Sequence, residues 1–171
     1  MKILVLYHSR TGRTRLLADE VACGVREVAD VCCDVKSAET VTAADFVSAA
    51  GIIAGSPVYF GSMAAELKDV FDRHIAVRKK MADKVGAAFA TSGFHSGGKE
   101  TTMMSIIQAM LIYGMIVVGD PLDATGHYGA ACSGPPDREA LETARKLGRR
   151  VALLARTLNP PCPAAGDENR K

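Results

Sequence analysis

Five short runs of branched and small apolar residues recur along the chain with helix-period segments between them, and this alternation restricts the fold more than any other feature. The runs are KILVLY from residue 2, VCCDV from 31, AAGIIAGSP from 49, KVGAAFATSG from 84 and GMIVVG from 114. The first is continuously apolar, which suits a strand covered on both faces. After it, apolar residues recur at Leu16, Leu17, Val21, Val25 and Val28, close to the 3.6-residue period, so a helix is expected over 12–28. Further helices are expected over 63–75, 99–113 and 137–158, the last beginning at Asp137 after Pro135-Pro136, with a short one at 43–48. Strands and helices in alternation predict parallel βαβ units with right-handed crossovers. The fold class is therefore α/β, a doubly wound sheet of five parallel strands with helices on both faces.

A chain of 171 residues fits one domain, expected over 1–158, and the aperiodic, proline-containing tail at 159–171 is expected to be mobile. A net charge of +2 is too small to advertise nucleic-acid binding, and the basic groups Arg78-Lys79-Lys80 and Arg145, Lys146, Arg149, Arg150 read as solvated surface. No apolar stretch approaches the roughly 18 residues that span a bilayer, and His8 and Arg10 interrupt the opening run before it could act as a signal segment. A cytoplasmic protein without an integral membrane segment is expected. Cys23, Cys32, Cys33, Cys132 and Cys162 form an odd set without a CxxC pair, so reduced structural thiols are expected and no metal site.

The unusual residues follow the first, third and fourth strands, on the edge where such a sheet binds ligands. The first loop, HSRTGRT, offers the hydroxyls of Ser9, Thr11 and Thr14, a glycine bend at Gly12, the charges of Arg10 and Arg13, and the free N–H groups of a helix start. These suit a phosphate; the plainer alternative is a loop in which Ser9 or Thr11 caps the helix. Neither GxGxxG nor GxxxxGK[ST] is present, so dinucleotide and P-loop fingerprints are absent and a mononucleotide phosphate remains. A thiolate phosphatase would need a cysteine here, and the first cysteine is Cys23, within the helix. The second loop carries Pro57, Val58, Tyr59, Phe60 and Gly61, and the third Thr91, Ser92, Gly93, Phe94, His95 and Gly98. Adjacent aromatics beside glycines suit a planar heteroaromatic ligand, or else cap the core beneath. The methionines at 103, 104 and 110 serve an interface or, on the plainer reading, the core.

The segment GSPVYFGSMAAELKDVFDR resembles a GSPT-aromatic/Arg-FG-N-M motif. Likewise SGFHSGGKETTMMSIIQAMLIYGMIVVG resembles a glycine-rich, Gln-Glu-Thr-Thr, then His-Gly-Met segment, and YGAACSG resembles a YGA(T) loop before a last helix. In these motifs, over most of its length, the chain resembles the WrbA-type NAD(P)H:quinone oxidoreductases of the flavodoxin-like fold. The resemblance implies strand order 2-1-3-4-5, an FMN cofactor, NAD(P)H as co-substrate, a quinone acceptor, two-electron ping-pong transfer, and a homo-oligomer, dimer or tetramer. It places the FMN phosphate at Ser9, Arg10, Thr11, Gly12, Arg13 and Thr14, and the isoalloxazine ring on Pro57, Val58, Tyr59, Phe60, Gly61, Thr91, Ser92, Gly93, Phe94, His95 and Gly98. It also makes His95, Tyr113 and Tyr128 catalytic candidates near the flavin, with Tyr128 and Gly129 in a β-to-α loop. Tyr113 stands where the family often has a histidine. The stretch from His74 to Lys84 is shorter than the family's insertion, so the assembly does not carry over directly. The rival reading is a flavodoxin-type electron carrier without a small substrate. Carriers of that kind are strongly acidic, whereas this chain has 21 Lys plus Arg against 19 Asp plus Glu. A flavodoxin-fold domain without flavin is a third.

Overall fold

The computed structural model describes residues 1–124 and 126–160. The expected tail lies outside the described residues apart from Asn159 and Pro160, as does Cys162. In chain order the elements are β1 (Lys2–Tyr7), α1 (Arg13–Arg26), β2 (Cys32–Ser37), α2 (Ala43–Ser48), β3 (Gly51–Pro57) and α3 (Ala65–Arg73). A 3-10 helix (Ile75–Met81) leads to β4 (Val85–Ser92), α4 (Lys99–Ile112), β5 (Ile116–Val117), β6 (Gly129–Ser133) and α5 (Arg138–Leu158). The strands run parallel in the order β2-β1-β3-β4-β5, with β6 also paired to β4, which is the expected topology.

Each strand splits its side chains between two cores, as the two-residue period requires. In β1, Ile3 and Val5 join Leu17, Val21, Leu147 and Val151 beneath α1 and α5. On the opposite face, Leu4 and Leu6 join Phe46, Leu67, Phe71, Ile106 and Met110 beneath α2, α3 and α4. Full burial of such a side chain is worth about 1.5–3 kcal/mol. Met103 and Met110 are core residues, as the plainer reading of that segment had it, while Met104 is partly exposed.

The fifth strand departs from the expectation. GMIVVG was expected as a whole strand and YGAACSG as a loop; instead β5 has two residues, and GAACS forms β6. Val85 pairs with Ile116, and Ala88 pairs with Gly129, so the two pieces share one lane beside β4. The intervening residues are drawn around the buried Asp120 carboxylate. It accepts the backbone N–H groups of Gly126 (2.9 Å), His127 (2.5 Å) and Gly129 (3.2 Å). Arg150 donates to the Gly119 and Asp120 carbonyls. An acidic residue inside a turn-rich segment has no periodicity, so the alternation that reveals strands could not reveal this one.

Much of the basic surface has partners within the chain. Arg145 holds Glu20 at 2.6 Å, and Lys146 lies 3.3 Å from Asp123 and 3.2 Å from Glu142. No helix among the described residues is long and apolar enough to cross a membrane.

Candidate functional site

All five helices start from the carboxyl edge of the sheet, but they start in two ways. Before α2, Thr42 accepts the Asp45 N–H and Asp45 returns a bond to the Thr42 N–H; before α5, Asp137 accepts the Ala140 N–H at 2.8 Å. Helices α1, α3 and α4, which follow the three loops, have no side-chain cap. The first N–H groups of a helix need acceptors, and a helix start carries about half a positive charge, so uncapped starts suit an anionic or polar ligand.

At α1 the N-cap is Gly12 in the left-handed region (φ 86°), and the first turn has no acidic residue. That turn therefore meets an anion through backbone N–H groups without like-charge repulsion. Ser9 Oγ accepts the Arg15 N–H at 3.4 Å. Thr14 is buried, with its hydroxyl 2.8 Å from that of Thr91. This bond joins the first loop to the third across the sheet. Loop two is tied in similarly: the Val58 N–H donates to the Thr91 carbonyl at 2.8 Å, and buried Ser56 accepts the Ala64 N–H at 2.8 Å.

The three loops thereby line one cavity of about 140 Å³, formed by Arg10, Thr11, Arg13, Thr14, Pro57, Val58, Tyr59, Thr91, Ser92 and Gly93. This volume suits a phosphate and the start of its chain rather than a whole nucleotide. A flat ring would lie beyond it, at the open rim. There Tyr59 and Ser62 exchange backbone bonds of 3.1 Å around a two-residue turn, in which Phe60 and Gly61 both take positive φ. Phe60 and Phe94 stand in solvent. Loops two and three touch at Gly61 and Gly98. A Cβ on Gly98, itself at φ 91°, would come 3.2 Å from the Gly61 Cα and 3.1 Å from the Thr101 hydroxyl. Glycine is needed there for both the turn and the approach.

The donor set fits a flavin mononucleotide: hydroxyls, unclaimed helix-start N–H groups and cations at one end, and aromatics with closely approaching backbone at the other. Ser9, Gly12, Phe60, Gly61, Phe94 and Gly98 adjoin the shared cavity without lining it. His95 is on the same edge but lines a separate cavity of about 410 Å³ with Lys99, Ser133 and Asp137. There Lys99 donates to Ser133 Oγ (2.9 Å) and Ser92 to the Phe94 carbonyl (2.6 Å), which fixes the third loop from below. Cys132, in the same wall, has its thiol pushed up to about 11 by burial and carries no thiolate at neutral pH.

Two candidates are corrected. Tyr113 lies beyond the last turn of α4, at the far end of the sheet from the loops; its buried ring packs against Phe46 and Phe71, and its hydroxyl donates to the Phe71 carbonyl. It is a core residue because α4 carries it some 20 Å from the rim (about 1.5 Å per residue over its 14 residues). Tyr128 precedes β6 rather than following a strand. With Gly129 level with Ala88, it stands below the carboxyl end of β4.

The sequence reading missed His8. Its ring is buried at the entry to the first loop, with Nδ1 2.9 Å from Glu39 and Nε2 3.6 Å from Glu66. A Ser37 hydroxyl bond, with His8 in addition, holds the Glu39 carboxyl below its ordinary range. The only sequence signal was a histidine ending an apolar strand.

Residues 1–129 match the family described as NADPH-dependent FMN reductase. The chain is 33% identical over 188 residues to a protein named NAD(P)H dehydrogenase (quinone) from Archaeoglobus fulgidus, covering 92% of this chain and 98% of that one. It is 35% identical to a protein named flavodoxin from Aquifex aeolicus, over 88% of this chain and 85% of the other. Among solved structures, a flavodoxin, WrbA-like protein from Agrobacterium tumefaciens superposes with a TM-score of 0.79 at 26% identity, covering 91% of this chain and 98% of that one.

Proposed function

The chain belongs to the NADPH-dependent FMN reductase family, and from that premise we propose that residues 1–158 form one FMN-binding unit that passes two electrons from NAD(P)H to a quinone. That it is an FMN-dependent NAD(P)H oxidoreductase follows from the family and the full-length relatives. The quinone acceptor and ping-pong order are proposals, supported by the relatives' names and by a rim open enough for each substrate to reach the same face in turn. When bound, FMN supplies the two-electron chemistry, taking a hydride from the reduced nicotinamide and giving two electrons to the quinone, which gains two protons overall.

The chain's own task is to grip and orient. Ser9, Thr11, Thr14 and the α1 start would hold the phosphate, and Thr91 would fix Thr14 in place. Pro57–Gly61 and Thr91–Gly98 would flank the ring. The observation that carries this reading is the convergence of the three loops on one cavity, at the uncapped and acid-free start of α1. His95, exposed on the third loop, is the remaining proton-donor candidate.

The test is spectroscopic. Protein reconstituted with FMN is expected to be yellow, to bleach on adding NADPH or NADH, and to regain colour with benzoquinone. Bleaching by dithionite but by neither nicotinamide would replace the reductase with an electron carrier, the reading favoured by the name of the Aquifex relative. Against that reading stands the near balance of 21 cationic and 19 anionic side chains, since carriers that steer onto basic partners need a strong negative field.

A further inference from the structure

A second, larger cavity of about 800 Å³ opens beside the first and runs down between α3 and α4. Arg10 and Tyr59 line both. We propose that this groove seats the adenosine-phosphate half of the reduced nicotinamide dinucleotide, with Arg10 and Lys68 meeting its phosphates. The proposal rests on the reductase reading and adds to it where the substrate lies.

Continuity is the first reason. A nicotinamide delivering hydride must stack against a ring held between loops two and three, so the rest of the molecule has to leave across the rim. Tyr59 stands at the junction of the two cavities. Charge is the second. Arg10 belongs to the phosphate loop by sequence, and its guanidinium, 5.5 Å from the centre of the Tyr59 ring, borders the groove as well as the small cavity. No ion-pair partner is found for it among the described residues. Lys68 spends two donors on Asp72, at 2.6 and 2.7 Å, and keeps a third. The groove's acid, Glu66, faces His8 at 3.6 Å. Size and chemistry are the third: the volume suits a ligand larger than a quinone, and Gln108 and Ile112 offer an amide and an apolar wall for a purine.

The experiment separates this inference from the reductase reading by measuring binding without turnover. FMN-loaded protein is titrated calorimetrically with ADP-ribose, which lacks the nicotinamide ring. Wild type is expected to bind it. Lys68→Glu and, separately, Gln108→Glu are expected to weaken it about tenfold or more, and to raise KM for NADPH to match while leaving KM for benzoquinone and the FMN Kd unchanged. If wild type fails to bind ADP-ribose, or both variants bind it as wild type does, the inference falls, whether or not NADPH bleaches the flavin. Sedimentation of the same samples reads the other occupant: a variant that turns a dimer into a monomer with unaltered ADP-ribose affinity would assign the groove to a second copy of this chain and overturn the proposal.

Discussion

At the phosphate end of the candidate site, Thr14 is buried and bonded across the sheet to Thr91, in a cavity of about 140 Å³; at the ring end, Phe60 and Phe94 stand in solvent beside a groove of about 800 Å³. One end is small and cross-linked by hydrogen bonds, the other wide. The difference matches the demands on each end. An anionic anchor is gripped once, and tight burial strengthens each polar contact. On the proposed ping-pong order, a ring at the wide end would meet two substrates in turn and has to remain reachable.

The contrast is most directly broken at its tight end. Replacing Ser9, Thr11 and Thr14 together by Ala is expected to raise the FMN Kd at least about 100-fold, since a hydrogen bond to a charged group is worth about 1.5–3 kcal/mol; flavin fluorescence quenching measures this. Unchanged affinity would mean that the anchor lies elsewhere. Away from both ends, Tyr113→Phe is expected to cost about 1–3 kcal/mol in urea unfolding, because a buried carbonyl of Phe71 loses its donor, while leaving FMN affinity as it was. A weakened flavin with intact stability would return Tyr113 to the site.

At the open end, Phe60→Ala is expected to change stability by less than about 0.5 kcal/mol, because the side chain buries nothing in the free protein. It should nevertheless shift the visible spectrum of bound flavin, and an unaltered spectrum would remove Phe60 from the ring. The smallest effect concerns Cys132. With its thiol raised to about 11, roughly one molecule in a thousand is thiolate at pH 8, so iodoacetamide labelling at this residue should be slow and rise about tenfold per pH unit up to that value. Fast labelling at pH 7 would show an activated sulfur beside the third loop.

The doubly wound sheet was legible because its strands alternate with amphipathic helices, and side-chain period is a local property. The three loops were legible for the same reason: once the strands are placed, their carboxyl ends are placed too. Tyr113 was not. Motif spacing set it against a position near the ring, but a 14-residue helix carries it to the other end of the domain, a matter of rise per residue and not of resemblance. His8 escaped notice because its partners, Glu39 and Glu66, come from two other elements and no local pattern links them. The groove between α3 and α4 likewise exists only once both helices are packed. Arg10 shows the limit most plainly. Its sequence position says phosphate loop, and its side chain borders the groove as well as the small cavity.

The divided fifth strand also governs how molecules of this protein can meet. An intact outer strand offers a row of free N–H and C=O groups on which another chain can add. Here that margin holds two residues of β5, an insertion folded onto Asp120, and five residues of β6. It is a poor template for a further strand, and growth by strand addition is blocked on that side. The opposite margin is the unbroken six-residue β2, so an added strand has a continuous edge only on that side of the sheet.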